Sequence, residues 1–351
     1  LGIPERDIVH HRGDMHIIVV SLLHADDRYI LFGDKLMALT SIKWTGKVIT
    51  KPGLYSNIPL PLYHSAKICD GPSVSSSNLR TLSSRSPAHF YNEWPGNPNY
   101  IEKEDKKHFI LGRALHHLML GEEFFGKLFA VPEKEYPDAK TGEMKPWTFQ
   151  ANYCKQWRLA QEKLGKSVLT RDDVDSLLGM VESLRNHPII RAGALNGMIE
   201  RSAFWKDKAT GLWVKIRPDS IPTSSTDFVD LKTTTSVLWP DLQRTIAECG
   251  YHQQGGLIRQ GARDLLGISN PTFTLVFVEK TPPYCVRVVT PLDSDLDRGE
   301  RQNRAGLDTI ARCLKAAHWP GPGGEREDAE NIELPTWAQK QIDDRLEFDI
   351  S

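Results

Sequence analysis

The spacing of apolar positions changes period along this chain. Residues 107 to 120, KHFILGRALHHLML, put apolar side chains at 110, 111, 114, 115, 118 and 119, the stripe of an amphipathic helix. Before it, VSSSNLRTLSSRSPAHFYNEW predicts a helix with Ser76 or Ser77 as N-cap ahead of Leu79 and Leu82. After it, helices are predicted over 150–164 and 170–185, the second capped by Thr170 with Asp172 and Asp173 in its first turn. The period then falls to two. NGMIERSAFW (196–205), LWVKIRPDSI (212–221) and TDFVDLKTTTS (226–236) read as strands joined by short polar turns, hence an antiparallel meander. A helix over about 240–264, strands over 272–280 and 284–290, and a helix over about 293–317 complete the pattern. The order is that of an α/β core: helix, three-strand antiparallel meander, helix, strand, with added helices.

The ends are less periodic. Residues 1–46 hold His10, His11 and His16 and two strand-like runs, HIIVVSLL and RYILFGDKL; no ligand spacing repeats there, so the segment reads as an N-terminal extension or small hairpin without assigned function. Residues 47–320 read as the main domain. Within it, 131–147 is polar with Pro and Gly and predicts a loop. Residues 321–351 form a Gly/Pro-rich and then acidic tail, where WAQKQIDDRLEF is compatible with a final helix.

Charge changes this picture only locally. The 44 Lys and Arg against 45 Asp and Glu give −1, which excludes a uniformly basic nucleic-acid coat but not a basic groove. Residues 325–351 hold nine acidic and three basic side chains, a balance of −6 that leaves the remainder at +5. Five cysteines without a CxxC pair argue against a disulfide framework, a zinc ribbon or an iron–sulfur cluster. They are expected as reduced thiols. With no apolar run near the ~20 residues of a membrane span, a cytoplasmic location is expected.

The candidate chemistry lies on the second and third predicted strands. Pro218-Asp219 is succeeded by Asp230-Leu231-Lys232. Asp230 and Lys232 share one strand face, while Val229 and Leu231 take the other. Asp219, with Arg217 and Lys215 on its side, ends the neighbouring strand. Two carboxylates and an ammonium at one sheet edge suit metal-assisted phosphodiester hydrolysis, which needs hard oxygen ligands and a cation beside the scissile phosphate. The chain carries a second copy of these letters, Pro137-Asp138 and Glu143-Met144-Lys145, in a polar stretch that offers no predicted strand. Around the first copy lie His116 or His117 on the preceding helix, Glu200 on the first strand, and Tyr251 and Gln254 three apart on the next helix, where they could hold a phosphate or orient the lysine. Neither GxSxG nor a GxxxxGK[ST] loop is present.

Taken in order, GxAxH on a helix, a strand with Glu, one with PD, one with DLKT and a helix with YHxQ resemble the PD-(D/E)xK nuclease superfamily in its RecB-like branch. More narrowly, the set is similar to the nuclease domain of phage and prophage exodeoxyribonuclease VIII (RecE), over roughly 47–320. The resemblance implies His116, Asp219, Asp230 and the Leu231 carbonyl as metal ligands and Lys232 as the catalytic lysine. It also implies Tyr251 and Gln254 as the helix motif, with Gln253 one register away; Glu200 varies in role among relatives. Arg217 joins Tyr251 and Gln254 as a phosphate-positioning candidate. The same resemblance implies Mg²⁺, with Mn²⁺ as a substitute, and double-stranded DNA digested from the 5′ strand. A ring-like homo-oligomer and a single-strand annealing partner in phage-type recombination in a bacterial host are also implied. A structure-selective or sequence-specific endonuclease and a non-catalytic DNA-binding module are the competing expectations.

Overall fold

The computed structural model describes residues 29–32, 35–38, 40–101, 107–121, 125–223, 225–324 and 328–348. The run HIIVVSLL and the three N-terminal histidines lie outside them. Within RYILFGDKL and the residues after it, Tyr29–Phe32 pairs antiparallel with Lys35–Ala38.

Two five-stranded sheets organise the molecule. The central sheet has the order Met198–Ile199, Ser220–Ile221, Asp227–Thr234, Thr272–Glu279, Val286–Val289. The second has the order Ile42–Lys43, Gly53–Ser56, Ser202–Lys206, Trp213–Ile216, Ser73–Ser75. The meander is antiparallel, but its first two strands each serve both sheets. Met198–Ile199 pairs with Ser220–Ile221, whereas Ser202–Lys206 pairs with Trp213–Ile216. The change of sheet falls at Glu200-Arg201 and at Arg217-Pro218-Asp219. Glu200 has φ +52°, a left-handed backbone that costs a non-glycine residue conformational energy, and its N–H donates to the Asp219 carbonyl at 3.4 Å.

Helices cover both faces of the central sheet. Phe228, Phe273, Leu275 and Phe277 pack in one apolar cluster with Leu257, Ile258 and Leu296 from the helices Tyr251–Leu266 and Asp293–Ala316. Val229, Leu231, Val276 and Val278 pack in another with Ala114 and Leu115 of the helix Lys107–Leu120 and Val174 and Leu177 of Arg171–Asn186. Val229 and Leu231 therefore face a core as expected, and the Asp230 face is covered as well. A third cluster, with Tyr55, Tyr63, Phe204 and Trp213, backs the second sheet.

Local signals hold with small shifts. The serine-rich helix is Ser76–Ser84, one residue earlier than expected, with Ser75 as N-cap and its N–H accepted by Asn78 Oδ1 at 2.9 Å. Thr170 caps Arg171–Asn186 in a capping box with Asp173. The single helix expected over 240–264 is two, Trp239–Glu248 and Tyr251–Leu266, because Gly250 takes φ +64° and turns the chain between them. Instead of a plain loop, 131–147 contains the hairpin Glu135–Pro137 with Met144–Pro146. The final helix spans Thr336–Phe348. All five cysteines are free, and among the described residues no helix is long and apolar enough to cross a membrane.

Candidate active site

Asp219 sits where the second strand leaves one sheet for the other, and Asp230 and Lys232 sit inside the eight-residue strand Asp227–Thr234. Ser220 pairs with Val229, which sets the two carboxylates side by side. Asp219 N–H donates to Asp230 Oδ1 at 3.2 Å, and Leu231 N–H donates to Asp219 Oδ2 at 2.7 Å. Lys232 Nζ donates to Asp230 Oδ2 at 2.5 Å. The histidine helix brings His116 Nδ1 to 3.4 Å from Asp219 Oδ1. His117 instead turns toward the Phe125 and Phe129 rings, 6.0 Å from each. Geometry thus separates two histidines that spacing could not.

The register of the glutamines is equally plain. Gln254 Nε2 donates to Asp230 Oδ2 at 2.5 Å, with its Oε1 buried and without a partner among the described residues. Gln253 is buried elsewhere: its Nε2 donates to Ser83 Oγ at 2.9 Å, and its backbone carbonyl accepts from Asn303 Nδ2 at 2.9 Å. The Tyr251 ring lies under Lys232 Nζ, 5.2 Å from the centroid, and under the Arg80 guanidinium at 5.8 Å. Arg80, on the Ser76–Ser84 helix, was not a sequence candidate; nothing in its spacing sets it apart from its serine-rich surroundings.

Other candidates stand further out. Glu200 flanks the pair at the sheet crossing. Arg217 is half-buried: Nε donates to Ser202 Oγ at 2.7 Å, Nη2 to the Ile58 carbonyl at 2.5 Å, and the guanidinium lies over the Tyr63 ring at 4.8 Å. Lys215 is not on the cleft face that its strand parity suggested. It is 3% exposed, its ammonium donating to the Tyr63 carbonyl at 2.6 Å, and burial pushes its pKa down to about 8. The strand changes sheet between Lys215 and Asp219, so parity counted along the sequence is broken there.

Burial and close charges perturb the whole cluster. Burial and the neighbouring Asp219 raise the Asp230 pKa against the pull of Lys232, and Asp230 is 1% exposed. Burial would raise Asp219 too, but His116, Lys232 and the Leu231 N–H together hold it below the usual range. Lys232 is desolvated, yet Asp230 and Asp219 raise its pKa, so it stays an ammonium. Burial disfavours the charged form of His116, and Asp219 more than offsets this, raising it. Glu200 is raised first by desolvation of its carboxyl, although the residue as a whole remains open to solvent, and then by Asp219.

Among the described residues, no group of three or more His, Cys, Asp or Glu side chains is already arranged to hold a metal ion. The donor set nevertheless fits a hard divalent cation. An imidazole nitrogen and a carboxylate oxygen 3.4 Å apart adjoin a second, buried carboxylate whose pKa is raised by desolvation and by Asp219.

A family model described as a PDDEXK-like domain of unknown function (DUF3799) matches residues 75–331, which span the histidine helix, both carboxylates, Lys232 and the glutamine helix. The chain belongs to this family. The PDDEXK-like domain is also similar in fold to a solved protein from Eubacterium rectale named as a presumptive exonuclease. The two share 12% identity at a TM-score of 0.53, over 81% of this chain and 98% of that one. Another solved structure, 13% identical over 59% of this chain and 88% of its own, reaches a TM-score of only 0.25 and carries no argument. No curated protein matches the sequence.

Proposed function

We propose that this PDDEXK-like protein is a Mg²⁺-dependent exonuclease that hydrolyses linear double-stranded DNA. The observation that carries the reading is the convergence of Asp219, Asp230 and Lys232, with His116 and Gln254 on the two carboxylates. His116, Asp219, Asp230 and the Leu231 carbonyl would hold the cation, with Glu200 beside them. Once bound, the cation would polarise the phosphoryl group and lower the pKa of a bound water.

The chain's own groups supply the remainder. Lys232, kept protonated by the carboxylates, adds positive charge where negative charge develops on the phosphoryl oxygens. Gln254 fixes the orientation of Asp230 through Oδ2. Tyr251 holds the Lys232 ammonium over its ring, limiting the lysine's freedom. Arg217, tied to Ser202 and Ile58, presents a fixed cation beside Glu200 and the crossing for a backbone phosphate.

The likeness to exodeoxyribonuclease VIII extends the proposal to 5′ to 3′ polarity, a ring-like homo-oligomer and a single-strand annealing partner in phage-type recombination in the bacterial cytoplasm. The test is digestion of a linear duplex labelled separately at each 5′ and 3′ end, beside a covalently closed circle, with Mg²⁺ or EDTA. Loss of the 5′ labels first, an intact circle and no digestion in EDTA are expected. Cleavage of the circle would convert the reading to an endonuclease, and no cleavage of either DNA would remove the enzyme reading.

A further inference from the structure

Two cations share the Tyr251 ring, and only Lys232 belongs to the motif. Arg80 arrives from the Ser76–Ser84 helix, far from the glutamine helix in sequence. Its Nη1 donates to the Cys249 carbonyl at 2.6 Å, where the helix Trp239–Glu248 ends. Its stem lies against Gly250, where a Cβ would come within 2.9 Å of Arg80 Cδ, so the glycine that turns the chain also makes room for the arginine. Among the described residues, Nε is buried without an acceptor and no carboxylate lies within 4.0 Å of the guanidinium.

Several other arginines are paired directly with carboxylates. Arg259 is held by Asp293, Asp297 and Glu300, and Arg304 by Asp207 and Asp308. A half-buried cation with no carboxylate bonded to it is costly to maintain, and the more distant charge of Asp230 offsets part of that cost. Here it is fixed by a carbonyl, an aromatic face and a glycine, with most of its donors unused. A guanidinium fork matches two phosphate oxygens at once, which an ammonium cannot do.

We propose that Arg80 forms a phosphate-binding subsite next to the carboxylates, receiving a backbone phosphate of the DNA strand being cleaved, with the Tyr251 ring as the floor it shares with Lys232. This rests on the nuclease reading above. It adds a residue from outside the motif strands, so the substrate strand would be held from the side of the Ser76–Ser84 helix as well as from the sheet.

The test uses the full chain and a fluorescein-labelled linear duplex in EDTA, so that binding is read without cleavage across a series of salt concentrations. Arg80→Gln keeps the stem as far as Cδ and removes the charge together with the donor to the Cys249 carbonyl. It is expected to weaken binding about tenfold at 0.1 M salt and to lower the log–log salt slope by about one. Arg80→Lys is expected to keep the slope and lose affinity by about threefold, because the fork is gone and the charge is not. An unchanged slope in Arg80→Gln would overturn the subsite. If Arg80→Gln melts early, Arg80→Lys decides alone, and wild-type affinity in that variant would overturn the two-point contact. A wild-type chain that binds no duplex DNA would instead overturn the nuclease reading, a result distinct from either of these.

Discussion

The chain contains the same letters twice, and the two copies behave in opposite ways. At Pro137-Asp138 and Glu143-Met144-Lys145 the hairpin Glu135–Pro137 with Met144–Pro146 closes on an ion pair, Lys145 Nζ to Asp138 Oδ2 at 2.6 Å. Lys145 and the Lys140 and Thr141 N–H groups satisfy the Asp138 carboxylate and lower its pKa to about 2, while Glu143 accepts from Thr141 Oγ1 instead of from the lysine. At Asp219 and Asp230, two carboxylates share one lysine in a buried setting, and Asp230 is pushed upward. Both copies have a lysine within hydrogen-bond reach of an aspartate, so the pair itself is not the signature. What separates them is how closely the second carboxylate lies against the first, the burial and the histidine on the far side. One copy is a satisfied ion pair, while the other packs two carboxylates side by side in a buried setting.

The largest expected effect comes from breaking the buried copy. Lys232→Ala or Asp230→Asn should lower the digestion rate of linear duplex DNA by about a thousandfold, whereas Lys145→Ala and Asp138→Asn should leave it near wild type. Activity lost in the hairpin variants and kept in the others would invert the comparison. The adjacent glutamines should separate next. Gln254→Ala should cost about tenfold in kcat with little change in melting temperature. Gln253→Ala, which leaves Ser83 without its side-chain partner, should cost about 1–2 kcal/mol of stability with kcat nearly unchanged. Urea melts and single-turnover rates on both variants decide this.

A stability readout should report the proposed cation site itself. Mg²⁺ at a hundred times its Kd should stabilise the wild-type fold by about 2.7 kcal/mol, and EDTA should reverse this. Asp219→Asn should abolish the gain and Asp138→Asn should not, as read by thermal melts. The smallest effect belongs to the hairpin. Because the Asp138 pKa is depressed, any stability the pair gives is present above the ordinary carboxylate pKa and lost as pH falls through about 2. Carboxyl resonances in an NMR pH titration should show Asp138 titrating near pH 2, and moving upward in Lys145→Ala.

Much of this was legible from the sequence because it is local. Thr170 with Asp173, the stripe from Ile110 to Met119 and the alternation through DFVDLKTT each fix their element within a few residues. The carboxylate–lysine set was legible because residues two apart on a strand share a face whatever surrounds them. What stayed hidden depends on distant chain. The change of sheet at Glu200 and at Arg217–Asp219 is set by which strands lie alongside, so Lys215 read as a cleft cation when it is buried behind Tyr63. Arg80 gave no local signal, since its value lies in Cys249, Gly250 and Tyr251. The hairpin around Asp138 was read as a loop because its pairing strands are only three residues each.

The pairing of Ser220 with Val229 has a consequence for how such sites are spelled. It fixes the carboxylates by lattice position in the sheet and not by the length of chain that joins the strands Ser220–Ile221 and Asp227–Thr234. Lengthening that connection would change the spacing a pattern search looks for and leave the chemistry where it is. The motif is therefore better described by neighbouring strands than by a count of letters.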